Sequence, residues 1–262
     1  MTREPQRAPA DTINGVLTRL VCDVLTLRPE HRMKLLARGL SDADIKRLRC
    51  VSAPDTRAER RRTADALVPY LEAFGGGVPG FYRDRGRWQM VYRPPGFFVA
   101  ARDEHGCVQA LAQRVDDPED GGKYLWLSSA DRDGGASSGA PFHFANRSAM
   151  WGADELLVTE GTLKADVIAS LSGLPVVGVA RVNNTRGLAT RLRANLPSLR
   201  RVVVAFDRDV LTKPQVAAAL DRLVAHLEAE RFRVRVRTWP GESKGFDDYL
   251  LSQLRVQEVK AA

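Results

Sequence analysis

The sequence has few cysteines and no long apolar run, and these absences exclude several classes of protein. Its three cysteines, Cys22, Cys50 and Cys107, are odd in number and far apart, which argues against a disulfide framework and against a zinc ribbon. The four histidines show no spacing typical of metal ligands. No apolar run approaches the roughly 18 residues of a membrane span, and no secretory leader is recognisable. We therefore expect a reduced, cytoplasmic protein without a membrane segment.

Lysine is scarce, and nucleotide-binding loops of the common kind are absent. Only seven of the 40 basic residues are lysines, and 40 Lys and Arg against 32 Asp and Glu give a formal charge of +8. A basic balance favours a polyanionic partner such as nucleic acid. The sequence contains no Gly-x-x-x-x-Gly-Lys-Ser/Thr loop, so any helicase partner must be a separate chain.

The hydrophobic pattern divides the chain into three segments. Residues 1–75 show mostly helical periodicity, whereas residues 76–150 change to short strands with turns and indicate a small antiparallel sheet. Residues 151–262 alternate strands and helices, which indicates βαβ units and a parallel sheet. The predicted fold class is therefore α/β: a Rossmann-like, mostly parallel domain preceded by a helical segment and a small antiparallel α+β subdomain.

Acidic residues follow strand-like apolar runs at three places in the last segment. Glu160 follows the first run, Asp207 and Asp209 follow the second, and Asp247 lies past the third. The carboxyl ends of neighbouring parallel strands meet at one crevice, where such folds bind ligands. Carboxylates that converge repel one another unless a cation lies between them. The pattern therefore predicts divalent-metal and phosphate chemistry.

Each acidic site also has a purely structural interpretation. Lys164 and Asp166 would be surface charges in the first turns of a helix. Asp207 and Asp209 would accept hydrogen bonds from their own turn, and Asp247 would cap the final helix. The order of the three sites within one alternating domain is what favours the functional interpretation.

The order of these motifs resembles the Toprim domain shared by bacterial primases, topoisomerases and certain nucleases. The segment ahead of it is similar to the sheet subdomain of DnaG-type replicative primases. The motifs that carry this second resemblance are Pro95-Gly-Phe-Phe98, Arg102-Asp-Glu-His-Gly106, Gln113-Arg114 and Lys123-Tyr124. The resemblance is collinear from Leu35 to Leu251. It implies a primase-like catalytic core with a Toprim fold.

The resemblance also implies roles for particular residues. Glu160, Asp207 and Asp209 would be catalytic, and these three together with Asp247 would hold Mg²⁺ or Mn²⁺. Basic residues would contact nucleic acid or nucleotide phosphates, namely Arg102, Arg114, Lys123, Lys164 and Lys244.

The sequence departs from the family pattern at three points. Lys164 stands four residues after Glu160, where the family usually has an acid. Gly245 stands at another acidic position of the family, and no Cys/His zinc module is present. This version is more similar to the Toprim domains of plasmid- and phage-borne primase-like proteins.

These features favour a Mg²⁺-dependent, primase-like nucleotidyltransferase that acts on single-stranded DNA and nucleoside triphosphates in the replication of a mobile element. Two alternatives stay open. One is a Toprim metal-dependent nuclease, and the other is a non-catalytic nucleic-acid-binding replication accessory protein. The sequence therefore leaves open whether the chain is an enzyme.

Overall fold

The chain forms two compact units, which we describe separately. The computed structural model describes residues 7–73, 75–118, 122–208 and 212–261. The first unit contains Met1–Leu35, Asp42–Asp103 and Cys107–Pro141, and the second contains Leu36–Ser41, Glu104–Gly106 and Phe142–Ala262. The segments at 1–75, 76–150 and 151–262 stay predictions as separate domains. Within the described ranges, no helix is long and apolar enough to cross a lipid bilayer.

The first unit begins with helices. They are α1 (Ala10–Arg19), which continues into a π-helical turn (Leu20–Val24), α2 (Pro29–Ala37), α3 (Asp42–Leu48) and α4 (Arg57–Ala73). Helix α1 buries Ile13, Val16 and Leu17, because residues three and four apart lie on one helical face. Helix α4 starts with a capping box in which the amide of Glu59 donates to the Thr56 hydroxyl and the amide of Thr56 donates to the Glu59 carboxylate, each at 3.1 Å.

Antiparallel strands complete the first unit. They are β1 (Val51–Ser52), β2 (Phe81–Asp84), β3 (Arg87–Met90), β4 (Gly96–Arg102), β5 (Val108–Val115) and β6 (Tyr124–Trp126). Strands β2 and β3 form a hairpin, and the other four form a sheet in the order β1-β4-β5-β6. Phe98, Ala100 and Leu111 of this sheet share one core with the buried residues of α1 and α4. The predicted antiparallel sheet is therefore present, with β6 at its edge.

The second unit alternates strands and helices. Its elements are β7 (His143–Ala145), α5 (Arg147–Met150), β8 (Glu155–Glu160), α6 (Thr162–Ser172), β9 (Val176–Val179), α7 (Leu188–Asn195), β10 (Arg201–Val204), α8 (Pro214–Ala229), β11 (Arg233–Val236) and α9 (Phe246–Ala261). The sheet order is β11-β10-β8-β9-β7. Strands β8 to β11 are parallel, and β7 pairs antiparallel with β9. The mostly parallel α/β sheet predicted from the sequence is confirmed.

The sheet of the second unit is buried on both faces. Leu156 and Val158 belong to one apolar cluster, whereas Leu157, which lies between them in β8, belongs to a second. This alternation follows from the two-residue period of a strand. Strand β9 pairs with one side of β8 and β10 pairs with the other, so the strand order reverses at β8. Such a switch point is where open parallel sheets bind ligands.

Candidate active site

Glu160 and Asp207 leave neighbouring strands at the same edge of the parallel sheet. Glu160 is the last residue of β8, and Asp207 follows the end of β10. Val204 of β10 pairs in register with Val158 of β8, so the two strands end at nearly the same level. The amide of Ala205 donates to the Val158 carbonyl at 2.8 Å and extends this pairing. The two predicted catalytic carboxylates therefore belong to the strands that flank the switch point.

Gly161 allows the chain to turn from β8 directly into α6. Its φ of +90° lies in a region that side-chain-bearing residues rarely adopt, and its amide donates to the Val179 carbonyl at 2.7 Å. Helix α6 then begins at Thr162, so Lys164 lies in its first turn. The tight turn keeps Lys164 close to the sheet edge from which Asp207 emerges.

Lys164 forms an ion pair with Asp207. The Lys164 ammonium donates to Oδ1 of Asp207, and the two side chains are only 16% and 18% exposed. The structure therefore contradicts the interpretation of Lys164 as an ordinary surface charge. A lysine four residues after Glu160 brings a positive charge to one of the carboxylates that we predict to be catalytic.

Asp247 is a buried member of the same unit. It lies in the first turn of α9, and its side chain is 1% exposed. Its Oδ2 accepts a hydrogen bond from the guanidinium of Arg38, whereas its Oδ1 is buried without a hydrogen-bond partner among the described residues. Asp248, in contrast, is exposed. Of the two adjacent aspartates, Asp247 is thus the one held within the site.

Arg38 is a site residue that the sequence analysis did not identify. It lies on the segment Leu36–Ser41, which belongs to the second unit. At the next residue, Gly39, a Cβ atom would lie 2.7 Å from Leu251 and 3.1 Å from Leu171, so glycine lets this backbone approach α6 and α9. Arg38 and Asp247 are 209 positions apart, and no local pattern in the sequence connects them.

Gly245 lies close to these charged groups. A Cβ atom at Gly245 would lie 3.4 Å from Oδ1 of Asp207 and from Cε of Lys164, and it would collide with Oδ1 of Asp247. Any side chain at this position would therefore displace the Asp247 carboxylate. Lys244 is exposed, and its carbonyl accepts a 3.1 Å hydrogen bond from the Arg208 amide.

The electrostatic environment of Asp247 reflects these neighbours. Burial raises the pKa of Asp247 above its ordinary value, because it penalises the charged carboxylate. The cations Lys164 and Arg38 act in the opposite direction, and the carboxylates of Asp248 and Asp207 add to the increase. Asp207, Asp247 and Lys164 thus interact electrostatically.

Two observations fit a hard divalent cation at this site. Oδ1 of Asp247 is buried without a hydrogen-bond partner among the described residues, and carboxylate oxygens of both Asp207 and Asp247 lie close to Gly245. Carboxylate oxygens are the ligands that such ions prefer. No group of three or more His, Cys, Asp or Glu side chains with metal-ligand geometry occurs in the described ranges, and Asp209 lies outside them. The metal ligands therefore stay predictions.

In the first unit, Arg114 and Lys123 meet at the β5–β6 pair. Arg114 pairs in register with Tyr124, and its guanidinium lies 5.5 Å from the centre of the Tyr124 ring. Tyr124 is 39% exposed on the edge strand, and the preceding Lys123 is exposed as well. This end of the sheet presents positive charge beside an accessible aromatic ring.

Arg102 lies at the other end of the β4–β5 hairpin. It pairs with Val108, whereas Arg114 pairs with Phe97. Its guanidinium donates to the carbonyl of Leu48 at 2.8 Å. The structure thus brings Arg114 and Lys123 together and separates Arg102 from them. The contacts of all three residues with nucleic acid stay predictions.

A second exposed aromatic ring lies near β6 and was missed in the sequence. Tyr92 is 60% exposed, and the guanidinium of Arg60 lies 4.9 Å from its ring centre. The neighbouring Arg93 donates to the carbonyls of Trp126 at 3.0 Å and Ser128 at 2.9 Å, which connects this segment to the chain around β6. The available signal in the sequence was the adjacent pair Tyr92-Arg93. That pair does not reveal that the guanidinium of Arg60 stacks on the Tyr92 ring.

The two units have the fold of DnaG-type primase catalytic cores, which contain a Toprim domain. The structure of the zinc-binding and RNA polymerase domains of the Aquifex aeolicus primase superimposes with a TM-score of 0.71 at 16% identity. That match covers 97% of this chain and 60% of the Aquifex chain. This chain therefore spans less than two thirds of the length of that solved chain.

Two further primase structures are similar over most of their length. A DnaG primase catalytic domain bound to single-stranded DNA matches with a TM-score of 0.66 and 19% identity, over 96% of this chain and 77% of the other. The RNA polymerase domain of Mycobacterium tuberculosis DnaG gives a TM-score of 0.66 at 15% identity, over 95% and 82% of the two chains. At such low identity, these similarities establish the fold.

Sequence comparisons give little beyond this fold. Residues 153–256 match a family described only as a domain of unknown function, DUF3854. The match lies within the second unit and includes the carboxylate site. No curated protein matches the sequence.

Proposed function

We propose that the chain is a Mg²⁺-dependent, primase-like nucleotidyltransferase that extends a strand on a single-stranded DNA template. One observation carries this proposal: Glu160 and Asp207 emerge side by side at the switch point of a Toprim sheet, with Asp247 and Lys164 close to Asp207. Carboxylates and a lysine at this position suit the binding of a nucleotide triphosphate. The cytoplasm and a mobile genetic element are the setting that we propose for this activity.

The chain's own residues divide the chemistry of nucleotidyl transfer between them. Asp207 and Asp247, together with Asp209 as predicted from the sequence, would hold the divalent cation. A cation there would neutralise the triphosphate and favour departure of pyrophosphate. Glu160 would accept the proton of the attacking 3′-hydroxyl, and Lys164 and Lys244 would contact the phosphates.

The first unit would bind the template. The paired Arg114 and Tyr124, with the exposed Lys123, suit a single strand, whose bases stack on aromatic rings while its phosphates attract cations. One of the similar structures contains single-stranded DNA. A second, the M. tuberculosis domain, has been solved with double-stranded DNA.

Template-dependent synthesis tests the proposal. The full chain should make product from nucleoside triphosphates on single-stranded DNA with Mg²⁺ or Mn²⁺, and Glu160→Gln should reduce the rate by about a hundredfold or more. Asp65→Asn, which changes an exposed carboxylate on α4, is the matched control and should retain the wild-type rate. A folded wild-type protein that makes no product, or a fully active Glu160→Gln variant, would falsify the proposal.

A second candidate, a non-catalytic nucleic-acid-binding accessory protein, is favoured by the ion pairs of the site. Lys164 holds Asp207 and Arg38 holds Asp247, so each carboxylate already has a side-chain cation. In that case single-stranded DNA should bind with steep salt dependence, and neither Mg²⁺ nor Asp207→Ala should change the affinity. Nicking of supercoiled DNA without nucleotides would instead support the nuclease alternative.

A further inference from the structure

The carboxylate site contains a positively charged side chain, that of Lys164. Lys164 reaches Asp207 from the first turn of α6, and its ammonium donates to Oδ1 of Asp207. With side-chain exposures of 16% and 18%, neither partner is freely hydrated. A partly buried ion pair of this kind is screened less by water and salt than an exposed one.

The Asp207 oxygen that accepts from Lys164 also lies near Gly245. A Cβ atom at Gly245 would lie 3.4 Å from Oδ1 of Asp207 and 3.4 Å from Cε of Lys164. The buried Oδ1 of Asp247 also lies against Gly245, where a Cβ atom would collide with it, and it has no hydrogen-bond partner among the described residues. A divalent ion that used both carboxylates would therefore meet the Lys164 side chain.

The formal charges of the four paired side chains balance. Lys164 and Arg38 contribute two positive charges, and Asp207 and Asp247 contribute two negative charges. A divalent cation that enters alone leaves this cluster with an excess of positive charge. The phosphates of a nucleotide would compensate that excess, and they would also offer the Lys164 ammonium an alternative set of oxygen acceptors.

We propose that Lys164 and a divalent cation compete for Asp207, and that a triphosphate ends this competition by drawing the Lys164 ammonium to its phosphates. Metal ion and nucleotide then bind with positive coupling, because each removes an obstacle to the other. The inference rests on the proposed function, since it takes a nucleoside triphosphate as the substrate of this site. It assigns Lys164 the role of controlling when the metal ion binds.

Two separate affinities of the full chain test this inference: Mn²⁺ alone, and ATP in the presence of EDTA. Lys164→Met removes the ammonium while keeping a long side chain. We expect it to bind Mn²⁺ on the order of tenfold more tightly than the wild type, and to bind metal-free ATP several-fold more weakly. Opposite changes in the two affinities are the signature, because damage to the fold would weaken both.

Two other variants serve as controls. Lys46→Met removes one positive charge from an exposed position on α3 and should leave both affinities unchanged. Lys164→Arg retains the charge and should keep Mn²⁺ binding weak. Mn²⁺ binding that is unchanged or weaker in Lys164→Met overturns the inference.

If Lys164→Met does not fold, Lys164→Gln provides the same test with a shorter neutral side chain. The wild type provides a further test. Inorganic tripolyphosphate should increase its affinity for Mn²⁺, once the measurement is corrected for the Mn²⁺–tripolyphosphate complex that forms in solution. Absence of that increase also overturns the inference.

The synthesis assay separates this inference from the proposed function. A wild type that synthesises product while Lys164→Met has unaltered Mn²⁺ affinity contradicts the inference alone. Tighter Mn²⁺ binding in Lys164→Met, in a protein that makes no product under any condition, contradicts the proposed function alone.

Discussion

One site in each unit carries charge, and the two sites do so in opposite ways. In the carboxylate site of the second unit, charged side chains are paired and largely buried: Asp247 is 1% exposed against Arg38, and Asp207 is 18% exposed against Lys164. In the first unit, Arg114 and Arg60 lie over aromatic rings that remain open to solvent. Paired, buried charges are held in fixed positions, which suits catalysis. An exposed surface of basic and aromatic side chains suits binding of a long polyanion without sequence preference.

The largest expected effect separates catalysis from binding. We expect Asp207→Asn to reduce template-dependent synthesis on the order of a hundredfold, because it removes a charge from the site, while the affinity for single-stranded DNA changes little. We expect Arg114→Met to do the reverse. It should weaken binding of single-stranded DNA by a few-fold, while the rate of synthesis at saturating DNA stays near that of the wild type. Primer extension and fluorescence anisotropy with a labelled oligonucleotide measure the two properties.

This division of labour between the units would be wrong if both variants lost synthesis and binding to the same extent. The free energy of unfolding of each variant must be measured alongside, since Asp207→Asn also alters the ion pair with Lys164. Asp65→Asn serves again as the exposed carboxylate control.

The next effect concerns stability. Arg38→Met leaves the Asp247 carboxylate buried and without its cation. Loss of one partner from a buried pair costs about 3–5 kcal/mol, and because Arg38 is 29% exposed we expect about 2 kcal/mol in urea unfolding. Arg32→Met, which removes an exposed partner of Asp42, should have a smaller effect.

A second substitution tests the cause of that loss. If the unpaired carboxylate is responsible, adding Asp247→Asn to Arg38→Met should recover part of the lost stability, since the buried charge is then gone. Equal losses in Arg38→Met and in the double variant would instead indicate lost packing of the Arg38 side chain.

The sequence was sufficient to predict those features of the fold that depend on the local hydrophobic pattern. The short strands within residues 76–150 and the alternation of strands and helices after residue 151 were predicted and found. Glu160 and Asp207 were placed correctly at the sheet edge, because residues past parallel strands always meet there. The short strands β1 and β7 have two or three residues each, which carry too little alternation to be detected in the sequence.

The ion pairs within the site could not be predicted from local sequence patterns. The contact between Arg38 and Asp247 joins residues 209 positions apart, and it depends on the close approach that Gly39 allows. Lys164 was expected to contact phosphates, but its pairing with Asp207 depends on the directions of both side chains. Long-range packing decides both contacts.

A smaller effect is expected at the aromatic surface of the first unit. Tyr124→Leu removes the ring beneath Arg114, and we expect affinity for single-stranded DNA to fall about tenfold, the loss of one stacked base. Tyr124→Phe keeps the ring and should bind as the wild type does. Anisotropy titrations at one salt concentration measure both, and equal weakening by the two substitutions would mean that the hydroxyl, rather than stacking, is required.

The smallest effect tests a partly buried charge in the first unit. Burial alone would raise the pKa of Asp116, but hydrogen bonds and charges from Lys34 and His31 outweigh it, so this pKa lies below its ordinary value. A lowered carboxylate pKa adds stability above the unfolded-state pKa, and that stability is lost as the pH falls through the folded-state value. Urea midpoints between pH 7 and about pH 3 should therefore decline less steeply in Asp116→Asn than in the wild type. Parallel curves would show that the charges around Asp116 contribute nothing to acid sensitivity.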